Sequence, residues 1–117
     1  MNDELLNSKC EACKIDAPSL SEEEIKKLHP KIPSWSVIED DDKIKRLICA
    51  FAFKNYEESL RFTNNVANLA EEEDHHPEVI LEWGRVTVSW WSHKIKGLHQ
   101  NDFICAAKTD ELFNNFN

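Results

Sequence analysis

The spacing of apolar residues predicts an ordered domain that begins after about twenty residues. Residues 1–20 show no helical or strand period, so we expect a loosely ordered N-terminal arm followed by a single domain over residues 21–117. Ser21 followed three residues later by Glu24 is a capping-box pattern. It predicts a short helix from about Glu22–Leu28 that ends before two prolines.

The rest of the pattern predicts two hairpins and two further helices. Asn55 is a good N-cap residue, and apolar side chains recur at helical spacing after it. The predicted elements are strands 35–39 and 44–53, a helix over 56–73, strands 79–83 and 85–91, and a helix over 100–113. The order α-β-β-α-β-β-α is typical of an α+β fold, and we expect a four-stranded antiparallel sheet with helices packed on one face.

Composition and charge argue against several classes of function. The formal net charge is −8, with 14 Lys and Arg against 22 Asp and Glu, so direct binding to a nucleic acid is not expected. The two glycines form no phosphate-binding motif. No apolar run approaches the roughly 18 residues that span a bilayer, and the acidic, polar start does not resemble a signal peptide. We therefore expect a cytoplasmic protein with no membrane partner.

The four cysteines form two groups. Cys49 and Cys105 lie in apolar sequence and are expected to be small, reduced core residues. Cys10 and Cys13 form a CxxC pair, but a structural zinc site usually takes its ligands from two such pairs. We expect a solvated, reduced pair here, and a metal or redox role is the alternative.

The segment EEEDHHPEV, residues 71–79, concentrates acid at the C-terminal end of the long helix. The helix dipole makes a carboxylate there unfavourable by about 0.3–1 kcal/mol. Pro77 disfavours a helical His76, so the helix must end near Asp74 or His75. Each histidine follows a glutamate by four residues, a spacing that shares one helix face. The acids could therefore tune and orient the imidazoles, or they could be a solvated charge run before a simple helix stop.

Two further polar features follow. The strand period of two places four residues of the segment TVSWWSHK on one face: Thr87, Ser89, Trp91 and His93. The other face carries Val86, Val88 and Trp90. The polar face could line a flat, heteroatom-rich ligand, or it could be an ordinary solvent face. Asp102 falls in the first turn of the last helix, where an acid is favourable for structural reasons alone.

Together these residues resemble the pterin-4a-carbinolamine dehydratases, also called 4a-hydroxytetrahydrobiopterin dehydratases. The matching positions are Glu71, His75, His76, Pro77, Trp83, His93 and Asp102. The likeness extends over about residues 20–113 and includes LSEEEI, Trp35 and the long helix. It implies a four-stranded α+β fold that assembles as a homodimer or homotetramer. It also implies dehydration of 4a-hydroxytetrahydropterin to quinonoid dihydropterin, with no metal or organic cofactor and with a functional link to an aromatic amino-acid hydroxylase.

The resemblance also implies a role for each site residue. His75 and His93 would be the acid/base pair at C4a and N5, His76 would hold the substrate, and Glu71 would orient His75. The substrate-binding positions are Asp74, Trp91 and Ser92, which would line the pterin site, and Asp102 and Trp35, which would border it. Losing water requires one proton delivered and one removed, and histidine suits both tasks near neutral pH. Of the other acids, Glu72 is expected to pair with His76 and Glu73 to be solvated.

Two departures from animal members bear on substrate preference. Asn101 stands where those members carry Arg, and Trp91 stands where they carry Ser.

Three other functions compete with this interpretation. A zinc or iron site could use the histidines and Glu71, although adjacent histidines diverge and no HExxH motif is present. A small binding or coactivator-like protein is another candidate, because short edge strands and four tryptophans favour association, and animal members of the family also act as dimerisation partners of a homeodomain transcription factor. A role in another pterin pathway, such as molybdopterin metabolism, is the third.

Overall fold

The computed structural model describes residues 19–116, so most of the predicted N-terminal arm, with Cys10 and Cys13, lies outside the described residues. Helix α1 spans Glu22–Leu28, followed by a short 3-10 helix at His29–Lys31. The remaining elements are β1 Ser36–Glu39, β2 Lys45–Ala52, α2 Tyr56–Glu73, β3 Glu78–Glu82, β4 Arg85–Trp90 and α3 Gln100–Asn114. This order confirms the predicted α+β fold.

The four strands form one antiparallel sheet in the order β1-β2-β4-β3. Each hairpin therefore contributes one central and one edge strand. The β2–β4 register places buried side chains opposite one another: Leu47 faces Trp90, Cys49 faces Val88 and Phe51 faces Val86. Because alternate residues point to opposite faces, these pairs share the face that the helices cover. On the open face, Ala50 and Ala52 are exposed.

The core lies between this covered face and helices α2 and α3. Helix α2 buries Phe62, Val66, Leu69 and Ala70 on one side, as the predicted helical period requires. Helix α3 is buried over the whole of residues 101–107. It is further tied to the sheet by Trp90, whose Nε1 donates to Thr109 Oγ1 at 3.1 Å.

Local signals explain the helix starts. Ser21 Oγ accepts from the Glu24 amide at 3.2 Å, and Glu24 Oε1 accepts from the Ser21 amide at 2.9 Å, which completes the predicted capping box. Asn55 Oδ1 accepts from the Glu58 amide at 2.9 Å and begins α2. No helix in the described part of the chain is long and apolar enough to cross a membrane.

Cys49 and Cys105 are both buried, as predicted. Burial, with a smaller contribution from the negative charge of Asp110, raises the pKa of the Cys49 thiol to about 11. A thiol must lose its proton to act as a nucleophile, so Cys49 is an unreactive core residue at neutral pH.

Asp110 provides a pH-dependent prediction. Burial raises the pKa of its carboxyl, which the hydrogen bond from Trp35 Nε1 at 2.9 Å only partly offsets. An acid with a raised pKa in the folded state contributes stability below its unfolded pKa, and that contribution is lost as pH rises through the folded value. We therefore expect Asp110→Asn, which keeps an oxygen acceptor for Trp35, to be at least as stable as wild type at pH 7.

Urea unfolding at several pH values from about 4 to 7 tests this expectation, since about 4 is the unfolded pKa of Asp. The variant should lose less stability than wild type across this range, while Asp41→Asn, at an exposed position, should follow wild type. A large loss of stability at pH 7 in Asp110→Asn would contradict the assignment.

Candidate active site

The C-terminal end of α2 sets the positions of the two adjacent histidines. Asp74 has left-handed backbone angles, φ 50° and ψ 42°. The Asp74 amide donates to the Glu71 carbonyl at 3.4 Å and the His75 amide to the Ala70 carbonyl at 3.1 Å. This is the Schellman pattern, in which glycine is the usual left-handed residue and aspartate is one of the few tolerated substitutes. The helix thus ends where Pro77 predicts, and the chain turns sharply.

His75 lies inside the protein after this turn. Its side chain is only 4% exposed, and its ring stacks on Trp90 with centroids 5.5 Å apart and planes 11° apart. His75 Nε2 lies 2.6 Å from Asp102 Oδ1. If the carboxylate is the acceptor in this contact, Nε2 carries the proton, and Asp102 fixes both the tautomer and the ring orientation of His75.

Asp102 connects three parts of the fold. It is completely buried in the first turn of α3, where Oδ2 accepts from Ser92 Oγ at 2.8 Å and from the His99 amide at 2.9 Å. His99 is the N-cap of α3, and its Nδ1 accepts from the Asn101 amide at 3.2 Å. The Asp102 carboxylate therefore both caps α3 and contacts His75, a candidate catalytic residue. Asp102 is a central member of this network and not only a border of a pocket.

His76 points the other way and is exposed. Its Nε2 donates to Glu71 Oε2 at 2.7 Å, so the predicted pairing of Glu71 with His75, and of Glu72 with His76, is wrong. The i, i+4 rule on which that pairing depended requires a continuous helix. The left-handed Asp74 ends the helix first, turning His75 inward and leaving His76 within reach of Glu71.

Glu73 also differs from its prediction as a solvated charge. Its Oε2 accepts from Lys108 Nζ on α3 at 3.1 Å, and the two side chains are only 12% and 17% exposed. The acid near the end of α2 is thus balanced by a lysine from another helix, which no local pattern indicates.

His93 reaches the same turn from beyond the end of β4. Its Nε2 donates to the His76 carbonyl at 3.1 Å, and its ring lies 4.3 Å from that of Trp91, with the planes 33° apart. A carbonyl can only accept, so Nε2 carries the hydrogen and Nδ1 carries the lone pair of the neutral ring. The side chain is exposed, so Nδ1 is the ring nitrogen suited to accept a proton from a ligand.

The structure brings most of the predicted site residues together but not Trp35. His75, His76 and Asp74 share one turn, His93 is hydrogen bonded to that turn, and Ser92 and Asp102 lie behind it. Trp35 is buried in the core and donates to Asp110, eight residues after Asp102 on α3 and so about 12 Å further along the helix. Trp83, a matching position of the resemblance, is 67% exposed at the β3–β4 turn. Asn101, a departure from it, is buried.

Two residues of this region were missed from the sequence. His99 caps α3, and the signal was present, because Asp102 follows it by three residues as in a capping box. Arg46 lies over the ring of Trp91, with Cζ 3.7 Å from the ring centroid. This contact depends on the pairing of β2 with β4, which could be derived only from a known strand order.

The directions of the side chains bear on the alternative metal site. His75 points inward to Asp102, whereas His76 points outward to Glu71. Within residues 19–116, no three His, Cys, Asp or Glu side chains converge as metal ligands would. The arrangement instead offers one buried imidazole held by a carboxylate and one exposed imidazole with a basic nitrogen, a set suited to acid/base chemistry.

Comparison with known proteins gives consistent similarities. Residues 18–112 match the family model described as pterin 4 alpha carbinolamine dehydratase. A protein of Nitrosococcus oceani that has been assigned the name pterin-4-alpha-carbinolamine dehydratase is 56% identical over 110 residues, covering 94% of this chain and 96% of that protein.

Two solved structures are similar in fold. The transcriptional coactivator/pterin dehydratase from Brucella melitensis has a TM-score of 0.72 and 26% identity, covering 81% of this chain and 98% of that chain. A pterin dehydratase-like protein identified as a RuBisCO assembly factor in the alpha-carboxysome has a TM-score of 0.57 and 24% identity, covering 68% of this chain and 88% of that chain. The second likeness is one of fold alone.

Proposed function

Because this chain belongs to the pterin 4 alpha carbinolamine dehydratase family, we propose that it dehydrates a 4a-hydroxytetrahydropterin to the quinonoid dihydropterin by histidine acid/base catalysis. The observation that carries this proposal is the turn at 74–76. In this turn His75, which is hydrogen bonded to Asp102, is followed directly by His76, whose carbonyl accepts a hydrogen bond from His93. The proposed acid therefore lies on this turn, and the proposed base is hydrogen bonded to it.

The reaction needs two proton transfers and no oxidant or reductant. The C4a–O bond breaks, and the departing hydroxyl takes up a proton to leave as water. The N5–H bond gives up its proton, and its electron pair forms the C4a=N5 double bond. One group must donate and one must accept, and each positioned group of this kind accelerates a reaction by about 10²–10⁴-fold.

We assign the acid to His75 and the base to His93. The Asp102 carboxylate beside His75 stabilises the positive charge that this ring carries when it holds a second proton. His93 Nδ1 has the lone pair that accepts the N5 proton, because Nε2 is committed to the His76 carbonyl.

The exposed side chains of the same turn are assigned to substrate binding. We assign His76, which Glu71 orients, and the Asp74 carboxylate to bind the N–H groups of a pterin, and Trp91 to form a wall beside His93. No cofactor enters this scheme. The substrate must come from a reaction that hydroxylates a tetrahydropterin at C4a, as an aromatic amino-acid hydroxylase does, although another pterin pathway could also use this chemistry.

A kinetic assay tests the proposal. The 4a-carbinolamine is generated in situ and its ultraviolet absorbance is followed with and without protein. We expect the decay to accelerate in proportion to the protein concentration. A decay at the spontaneous rate, with circular dichroism showing folded protein, would remove the dehydratase assignment.

Self-association is a second property that a specific observation favours. β3 is an edge strand, and Ile80 on this strand and Trp83 in the turn after it are both largely exposed. An open edge flanked by apolar side chains is a surface on which a second chain can pair. We infer a homodimer or homotetramer, which sedimentation at micromolar concentration tests, and a purely monomeric mass would contradict it.

A binding role of the coactivator type is the alternative to catalysis. The Brucella melitensis neighbour is named both as a coactivator and as a pterin dehydratase. Replacing His75 and His93 together separates the two roles here, because dehydration should be lost while association with itself or with a partner persists.

A further inference from the structure

We propose that Arg46 is a positioning residue that fixes His93 for proton transfer, acting through the ring of Trp91. This inference depends on the dehydratase function proposed above. Leu47 pairs with Trp90 in the β2–β4 register, so Arg46 and Trp91 are the next residues outward, on the open face of the sheet. The Arg46 Cζ lies 3.7 Å from the centroid of the Trp91 ring, which is the distance of a stacked guanidinium.

The guanidinium is itself held by carboxylates from two elements. Asp40 Oδ2 accepts from Arg46 Nε at 3.0 Å and lies 2.8 Å from Nη2, and Glu78 Oε1 on β3 lies 3.8 Å from Nη1. The β1–β2 turn holds Asp40 in turn, because Oδ1 accepts from the amides of Asp42 and Ile44, each at 2.9 Å. These contacts hold the Arg46 guanidinium in position independently of Trp91.

The chain of contacts continues from Trp91 to the proposed base. Trp91 lies just past the end of β4, beyond the last residue that pairs with β2. Its ring packs on that of His93, with centroids 4.3 Å apart, and His93 Nε2 donates to the His76 carbonyl. These two contacts restrain an otherwise exposed imidazole and leave Nδ1 as the basic nitrogen. Holding a reacting group in its productive orientation contributes directly to rate, so loosening Trp91 should loosen His93 and slow the reaction.

Two substitutions at Arg46 separate positioning from charge. Arg46→Met removes the charge and the planar group, whereas Arg46→Lys keeps a charge but cannot stack or pair as a planar fork. The matched control is Arg85→Met, because Arg85 is exposed at the far end of β4 and pairs with a neighbour in the same hairpin, Glu82, at 2.8 and 3.2 Å.

Both kinetic and spectroscopic readouts are needed. We expect Arg46→Met to lower kcat by about tenfold, with a smaller rise in KM, because proton transfer is the step most affected and the Trp91 ring also borders the substrate. The His93 ring protons, which the Trp91 ring current shifts in two-dimensional NMR, should move toward the values of a solvent-exposed histidine. Arg46→Lys should behave similarly, and Arg85→Met should change neither quantity.

The outcomes distinguish this inference from the function on which it depends. Unchanged His93 resonances in folded Arg46→Met, or an unchanged kcat, would overturn the positioning role. A wild-type protein that does not dehydrate the carbinolamine would overturn the proposed function, while the NMR comparison would still decide whether Arg46 orders His93. If Arg46→Met fails to fold, Arg46→Lys supports the same two measurements.

Discussion

Replacing His93 or His75 with alanine should lower the rate of carbinolamine dehydration by about 10²–10⁴-fold, the contribution typical of one general acid or base. His93→Ala removes the Nδ1 atom that we propose as the acceptor of the N5 proton. His75→Ala removes the proposed donor to the departing hydroxyl and also leaves the buried Asp102 without one of its partners. The double variant should be slower than either single variant, although the two losses need not multiply, because the residues act in one reaction.

The comparison must be made per folded molecule. His75→Gln keeps a hydrogen-bond donor near Asp102, so it should be more stable than His75→Ala. Its amide cannot act as a general acid, so its dehydration rate should still be low. His29→Gln is the matched control, because His29 is hydrogen bonded to the Trp35 carbonyl at 2.6 Å and belongs to the α1 region. Wild-type rates in both His75→Ala and His93→Ala would remove the assigned acid and base.

Replacing Asp102 with alanine should lower the free energy of unfolding by about 3–5 kcal/mol, because each donor left without an acceptor costs about 1–3 kcal/mol. The carboxylate is completely buried and accepts from His75, from Ser92 and from the His99 amide at the start of α3. Alanine would leave these three donors without an acceptor and would remove half of the capping box. Urea unfolding at pH 7 measures this loss.

Asp102→Asn separates stability from chemistry. The amide keeps one oxygen acceptor, so we expect a smaller destabilisation of about 1–3 kcal/mol. It cannot stabilise a positively charged His75, so the dehydration rate should still fall by about 10²-fold or more. Asp110→Asn is the matched control, because it makes the same change on the same helix, at a residue that accepts from Trp35, and it should leave the rate unchanged. A full rate in Asp102→Asn would show that the pair is structural only.

The elements of this fold were predictable because their boundaries depend on local chemistry. The Ser21–Glu24 capping box and the Asn55 cap fix the starts of α1 and α2, and Pro77 limits the end of α2. Val86, Val88 and Trp90 are buried on one face of β4, as the period of two requires. These signals lie within a few residues of the structure that they specify.

The pairing within the site was less predictable, because it depends on the turn that follows α2. A continuous helix would have paired Glu71 with His75. The left-handed residue Asp74 ends the helix, and His75 is instead hydrogen bonded to Asp102, 27 residues later. The Glu73–Lys108 and Trp35–Asp110 contacts likewise require the packing of α3. The contact of Arg46 with Trp91 requires the β2–β4 register. Spacing and the family resemblance together indicated which residues gather at the candidate site, and tertiary packing decided their partners.

The central claim is tested most directly by the decay of the 4a-carbinolamine at a protein concentration far below that of the substrate. Wild-type protein should complete many turnovers and accelerate the decay in proportion to its concentration. The His75→Ala/His93→Ala double variant, confirmed as folded, should leave the decay close to its spontaneous rate. A wild-type decay no faster than the spontaneous one, or equal acceleration by the double variant, would contradict the account.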